Sequence, residues 1–567
     1  MTRNRGIWLG LMLVAALTAG TADAAQQTSD ARLHELVRQA SDRVAAGQTA
    51  TPAPQTAAGQ AAAGARPTLS LTLDDVVKAA LDHNLNIAVQ RLNPQIQDIS
   101  LASLRSIYKP LLGGTLGTQS LDTPSTQTIS GGVAGDAINR TTTTFSATLQ
   151  QSVPVAGGSF LVNLSNQRLT TNSTTATFVP QYTPTWTAQY TQPLFRGRII
   201  DSNRQAMLVT RLNRDISDVQ LRSTITNTLS NVRVAYWNYV FAVQSVEVAR
   251  QSVALAQQLV QDNQTRVQVG TMAPLDVVTA QSQAATAQQA LVAAQSTMRT
   301  AELALKQLIV SGTEDPVWNA TIDPVDRPDF RPEPIDLEAA VRRALNERTD
   351  LAIAKKNLQQ NDATVKYLRD QLLPQADLVA SYGFTGLGGT FQQFSGTGLP
   401  GSPRVVTDTI PGGYTDALST LFHGKYPQWT VQMNLSYPLG LSAAQATVAR
   451  ARVQQSQDQA QVKVIELQVA TDVTNAVVTT QSNVERVQAA QAARTLAQQA
   501  LDAEQAKFQV GMSTNYLVIQ QQNALSTAQN NELQAILNYR NSLVELERLQ
   551  QTTLTSLGIT IVSSATR

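Results

Sequence analysis

The stretch ITNTLSNVRVAYWNYVFAVQSVEVARQSVALAQQLVQDNQTRVQVG, residues 225–270, carries an apolar residue at every seventh position: Ile225, Val232, Tyr239, Val246, Val253, Val260 and Val267. Three residues after its middle members stand Ala235, Ala242, Ala249 and Ala256. A strict repeat of seven, instead of a drift with 3.6 residues per turn, predicts helices that wind left-handedly around neighbours. The pattern stops at Gly270, passes Pro274 and restarts, with Val277, Ala284, Leu291, Met298 and Leu305 in one column and Ala280, Ala287, Ala294, Ala301 and Leu308 in the other. Two long helices joined at a Gly/Pro elbow follow, with alanine seams that permit close approach. The first, about 65 residues at ~1.5 Å each, is ~100 Å long, more than a globular core needs.

Composition narrows the function. Across 567 residues the net charge is +2, so no bulk basic field points to nucleic acid. Charged residues make up 15%, low for soluble helical rods, and Gln, Ser, Thr and Ala fill those places. Cysteine is absent, which excludes disulfides, thiolate metal sites and a lipid-bearing N-terminal cysteine. The three histidines, His34, His83 and His423, are not at ligand spacing, so no metal or other cofactor is expected. No G-x-S-x-G or P-loop pattern supports an enzyme.

The N-terminus reads as a secretory signal over 1–24: Arg3 and Arg5, an apolar run from Ile7 to Leu17, and Ala22-Asp23-Ala24. Elsewhere no run of 18 apolar residues exists, so a membrane could be crossed only by strands. Residues 25–70 are expected as a flexible linker with a short helix near 29–46. Folded structure is expected from about Leu71, where Thr72 and Asp74 offer caps for a helix from Asp75 to His83.

The chain is internally duplicated. At an offset of 264, Leu73-Asp74-Asp75-Val76-Val77 aligns with Leu337-Glu338-Ala339-Ala340-Val341, and Pro110 with Pro374. At 241, Val267-Gln268-Val269-Gly270 aligns with Phe508-Gln509-Val510-Gly511. The falling offset gives the first copy 23 extra residues, mostly between Leu111 and Tyr190. The first structural repeat is thus 71–310, with strands about 111–194 and an elbow at 270–276. A linker follows at 311–334. The second repeat is 335–550, with strands about 375–438 and an elbow at 511–518, and a tail occupies 551–567.

In Gln428–Tyr437, Trp429, Val431, Met433, Leu435 and Tyr437 alternate with uncharged polar residues. Ala376, Leu378, Ala380, Tyr382 and Phe384 repeat the pattern. Phe145, Ala147 and Leu149, then Phe160, Val162 and Leu164 across Gly157-Gly158, predict a hairpin, and Trp186, Ala188 and Tyr190 another strand. Strands about ten residues long with uncharged polar faces and aromatic ends suit an outer-membrane barrel wall. Gly386–Lys425 reads as a long surface loop. Roughly four to six strands per chain cannot close a barrel, and open edges cannot face lipid, so other copies must pair them. Three copies give 12 strands, or 18 if the hairpin at Phe145–Leu164 joins the wall. The helix halves then form a pseudo-sixfold tube.

The duplicated helix–strand–helix halves, the turn Gln192-Pro193-Leu194-Phe195-Arg196-Gly197 and the two elbows resemble the TolC family of outer-membrane efflux proteins over Leu71 to about Gly558. The elbows read Val269-Gly270-Thr271-Met272-Ala273-Pro274-Leu275-Asp276-Val277 and Val510-Gly511-Met512-Ser513-Thr514-Asn515-Tyr516-Leu517-Val518. The resemblance implies an α+β membrane protein and a homotrimer, with a β-barrel in outer-membrane lipid continuous with a periplasmic α-helical barrel of coiled-coil hairpins. It implies localisation to the outer membrane of a Gram-negative bacterium and an exit duct for efflux or type I secretion. Its partners would be a periplasmic adaptor and an inner-membrane pump of RND, ABC or MFS type. Gly270, Thr271, Met272, Pro274, Gly511, Met512 and Ser513 would form the adaptor-contacting tip, with Asp276 and Asn515 at the entrance. Asp276 would equally suit its own helix N-terminus. Many relatives have Asp-Val after the second elbow, where Leu517-Val518 stands here. The alternatives are an exported adhesive coiled-coil protein with a non-membrane β head, and a passive porin.

Overall fold

The computed structural model describes residues 67–125, 137–327, 329–332, 334–396, 404–437, 439 and 442–560. The signal sequence, the helix expected near 29–46 and the end of the C-terminal tail lie outside these residues. The described part begins with strand β1 (Thr68–Leu71), three residues ahead of the expected start, and helices α1 (Leu73–His83) and α2 (Leu85–Ser106). Thr72 caps α1 in a reciprocal box with Asp75, satisfying two end donors at once. Strands β2 (Leu111–Pro124), β3 (Ala137–Ser152), β4 (Ser159–Thr171) and β5 (Phe178–Pro193) follow, then α3 (Ser202–Gln268) and α4 (Pro274–Ile309). The segment between the halves holds a short helix α5 (Pro316–Asn319) and β6 (Thr321–Pro324), which pairs parallel with β1. Its strand is therefore ordered and held against the start of the first half, where Asp326 also accepts from the Leu73 amide at 2.7 Å.

The second half repeats the order with α6 (Leu337–Glu347), α7 (Thr349–Asp370), strands, α9 (Ala443–Gln509) and α10 (Asn515–Leu549); α11 (Thr553–Ser556) ends the described chain. Counterpart helices match closely in length: 11 and 11 residues, 22 and 22, 67 and 67, 36 and 35. Among the described residues, no helix is long and apolar enough to cross a membrane.

The seven-residue column is what α3 buries. Ile225, Val232, Tyr239, Val246 and Val253 are all buried, and Ala256 packs with Val253 against Ala284, Ala287 and Leu291 of α4. The main core gathers Val76, Val77, Ala80 and Ile87 of α1 and α2 with Leu229, Tyr236 and Val240 of α3, Leu305 of α4 and Ile322 of β6. Tyr239 donates to the Ile322 carbonyl, and Tyr236 to the Leu71 carbonyl at 3.2 Å and the Asp326 carboxylate at 2.8 Å, so neither buried phenol is left unpaired.

The second half contributes β7 (Gln375–Thr385), β8 (Gly388–Ser395), β9 (Val405–Ile410), helix α8 (Tyr414–Phe422) and β10 (Pro427–Ser436). The stretch expected as a long surface loop at Gly386–Lys425 thus holds two strands and a helix, with β8 running beside β5 and β9. Gly386 and Gly388 permit this, because a Cβ at either would meet Ala417 backbone atoms at 2.2 and 2.4 Å. The sheet runs β10–β7–β5–β4–β3–β2, each neighbour antiparallel. Register places Leu112, Leu149, Val162, Ala188, Tyr382 and Trp429 in one cross-strand row, and Phe160, Tyr190, Ala380 and Val431 in a neighbouring one. The apolar residues of the expected strands therefore share one face. The Phe145–Leu164 hairpin lies within the sheet, turning at Gly157 (φ +70°).

Candidate functional site

Each long helix leaves the sheet and ends at an elbow, at ~1.5 Å per residue about 100 Å away. Both elbows are built the same way. Gly270 and Gly511 adopt φ of +79° and +81°, the left-handed region that favours glycine. The Thr271 amide donates to the Arg266 carbonyl at 2.9 Å and the Met512 amide to the Lys507 carbonyl at 2.8 Å. The glycine amides reach Val267 and Phe508 at 3.0 and 3.2 Å, so each turn satisfies the last carbonyls of its helix. A Cβ on either glycine would meet nothing within 4 Å, so both turns face open space.

The two elbows sit side by side. Leu259 and Ala280 of the first hairpin pack with Phe508 and Val518 of the second, and Met272 and Ile519 close over them. The half-buried Arg266 lays its guanidinium 4.3 Å from the centroid of the Phe508 ring and donates to the Phe508 carbonyl at 3.1 Å. The Asn515 amide donates to the Asp276 carbonyl at 3.1 Å, and the Asn263 amide to the same oxygen at 3.4 Å. Further up, Gln283 donates to Asn523 at 2.6 Å across the hairpins. The side-chain oxygens of Asn263 and Asn515, both buried, have no hydrogen-bond partner among the described residues.

The expected tip residues divide into two groups. Gly270, Thr271, Pro274, Gly511 and the strongly exposed Met512 form the outer rim. Met272 turns back onto the apolar cluster. Ser513 donates to the Glu504 carboxylate, which Lys507 also approaches at 3.2 Å, and these bonds hold that carboxyl below its ordinary range. Asn515 is buried between the hairpins and contacts Asp276 through that residue's backbone, while Pro274 opens α4 at its first turn. The sequence did not single out Arg266, Phe508 or Asn263. Asn263 had a signal, since it continues the Ala242–Ala249–Ala256 column with an amide where alanine is due. Among the described residues no cluster of three His, Asp or Glu could hold a metal.

Among curated proteins no sequence matches the chain. Solved structures match in fold. The CmeC outer membrane channel of Campylobacter jejuni is 14% identical, with 88% of this chain and 93% of that one covered and a TM-score of 0.58. The outer membrane protein VceC of Vibrio cholerae is 14% identical, covering 84% and 95%, with a TM-score of 0.57. The open state of the MtrE outer membrane channel of Neisseria gonorrhoeae is 15% identical, covering 84% and 88%, with a TM-score of 0.55. The family model described as outer membrane efflux protein matches residues 159–310 and 340–550, one segment in each half of the duplication. Each matched segment contains one of the two elbows and the long helices that carry it, and on that footing the chain belongs to the outer membrane efflux protein family.

Proposed function

We propose that this chain is the exit duct of a tripartite efflux or type I secretion assembly in the Gram-negative outer membrane. Three copies form a barrel in outer-membrane lipid and a helical tunnel across the periplasm. The elbows dock on a periplasmic adaptor joined to an inner-membrane pump of RND, ABC or MFS type, which supplies the transport energy. The observation that carries this reading is the pair of outward-facing turns of like backbone conformation, held side by side at the far end of ~100 Å helices from an apolar-faced sheet.

The same elbows serve as the entrance. Arg266 and Asn515 tie the second hairpin to the first, and opening requires those ties to break. Asp276 places its carboxylate in the first turn of α4, near the rim.

Gly270→Arg tests the docking role. The substitution adds bulk and charge to the rim and about 1–2 kcal/mol of left-handed strain. Export through the assembly is expected to stop while the protein still migrates as a trimer extracted by detergent. Wild-type export from this variant would remove the elbows from the docking role. Export that persists without any pump partner would favour a passive porin.

A further inference from the structure

Among the described residues, both edges of the sheet are open. β2 is exposed along its whole length, and so is β10. Half the backbone N–H and C=O groups of each edge strand point away from the sheet unpaired, at several kcal/mol per group in lipid. Leu112 and Leu116 of β2, and Trp429, Val431, Met433 and Leu435 of β10, lie on the same apolar face and are themselves exposed. From β2 to β10 the six strands alternate in direction, so the two edges run antiparallel to each other. A ring of copies can therefore close with antiparallel pairing throughout and one continuous apolar surface.

We infer that β2 of each copy pairs with β10 of the next, so that the outlet is an 18-stranded barrel in place of a 12-stranded one. This rests on the homotrimer proposed above, since six strands from each of three copies make 18. The alternative would place β2 and β3 outside the wall. That requires breaking the β3–β4 ladder, which runs from Ser152↔Ser159 to Arg140↔Thr171 without a register shift.

The helices favour the wider ring. α2, α3, α7 and α9 pack in that order side by side, and each joins the sheet at the same end of its strands, through β2, β5, β7 or β10. Four helices at 8–10 Å spacing subtend about 32–40 Å of circumference per copy. Strands 4.8 Å apart and tilted ~40° take about 6.3 Å each, so six span about 38 Å and four only about 25 Å. Six strands thus continue the helical wall without a step. The same geometry takes the backbone radius from about 12 Å for 12 strands to about 18 Å for 18, a width at which barrels keep an aqueous lumen.

The absence of cysteine makes the closure directly testable. In the full-length protein in outer membranes, one cysteine is placed at Thr430 or Gln432 on the polar face of β10. A second is scanned through Gly113, Thr115 and Gly117 on the polar face of β2. Paired strands bring facing Cα atoms to about 4.5–5.5 Å, within disulfide reach. Oxidation is expected to move the denatured chain to two- and three-chain bands for at least one pair, reversed by reductant. Cross-links from β10 to Asn163 or Ser165 of β4, with none to β2, would overturn the 18-strand ring and leave the trimer standing. No cross-link to either strand in a protein that migrates as a trimer would also overturn it. A protein that migrates as a monomer would sink the trimer and the ring together.

Discussion

Replacing Arg266 with leucine isolates the tie between the two elbows. Leucine retains much of the apolar contact of the arginine stem and removes two interactions: the guanidinium over Phe508 at 4.3 Å and the donation to the Phe508 carbonyl at 3.1 Å. A cation over an aromatic ring contributes about 0.5–2 kcal/mol, and a hydrogen bond from a charged donor about 1.5–3 kcal/mol. Arg266 is half-buried, so solvent screens both, and the low ends together give about 2 kcal/mol. At 1.4 kcal/mol per factor of ten, that shifts the closed–open balance of each hairpin pair about 30-fold toward open. Single-channel recording in planar bilayers reads the shift as a longer open dwell and a larger mean conductance. A cycle with Phe508→Ala separates the ring contribution, because alanine keeps the carbonyl. Open occupancy within twofold of wild type, with a coupling below about 0.3 kcal/mol in the cycle, would refute the idea that this contact holds the entrance.

Three further outcomes follow from the packing. Lys306 is buried, 2.8 Å from Glu302, and donates to the Trp318 and Ala320 carbonyls; Lys306→Ala should cost about 3–5 kcal/mol by stranding Glu302, while Lys306→Met with Glu302→Gln should recover most of it in a thermal melt. Ala280 is fully buried where the hairpins meet, so Ala280→Leu should cost about 1–3 kcal/mol by overpacking and lower the melting temperature, whereas an exposed neighbour such as Ser282→Leu should not. Glu504 has its folded-state pKa held below the ordinary 4.5 by Ser513 and then Lys507. Its carboxylate therefore stabilises the second elbow at and above that ordinary value and loses this effect only as pH falls through the lowered one. Amide protection at 511–514, corrected for the intrinsic pH dependence of exchange, should hold down to about the ordinary glutamate value and fall below it, with Ser513→Ala shrinking that loss. An onset already present near neutral pH would contradict the bond to Ser513.

The helical half of the fold was legible because its physics is periodic. Val232, Tyr239 and Val246 are buried where a repeat of seven puts them, and both elbows could be located from one glycine each. The strands were legible where large side chains alternate, as in Trp429–Val431–Met433. β2 was harder to read, since Gly113, Gly114 and Gly117 remove the side chains that would show alternation. Its strand character comes from pairing with β3, a tertiary property. β8 and β9 were hidden for a similar reason: their order depends on α8 approaching Gly388, which no local pattern records. At the tip, sequence located the turns but not their mutual contact. Arg266 and Phe508 lie 242 residues apart in the chain, and only the docking of one hairpin on the other makes them partners. Asn515, expected at the entrance, is packed between the hairpins, where the seam of α10 carries amides at Asn515 and Gln522 in place of the usual apolar residue.

The duplication treats the two parts of the molecule unequally, and the inequality has a physical cause. Helices α3 and α9 both contain 67 residues, because both elbows must reach the same level to pack Phe508 against Leu259. One added residue would advance a tip by 1.5 Å and rotate its buried face by 100°, removing Ala280 and Val518 from the shared cluster. The sheet has no such constraint. A strand pair inserted between α2 and α3 returns the chain to the side it left, so the direction of every later strand is preserved. The first half could thus gain a hairpin without disturbing the elbows, whereas a single extra strand would have placed α3 on the wrong side of the sheet. That is why the excess residues of the first copy are found between α2 and α3 while α3 and α9 remain equal in length.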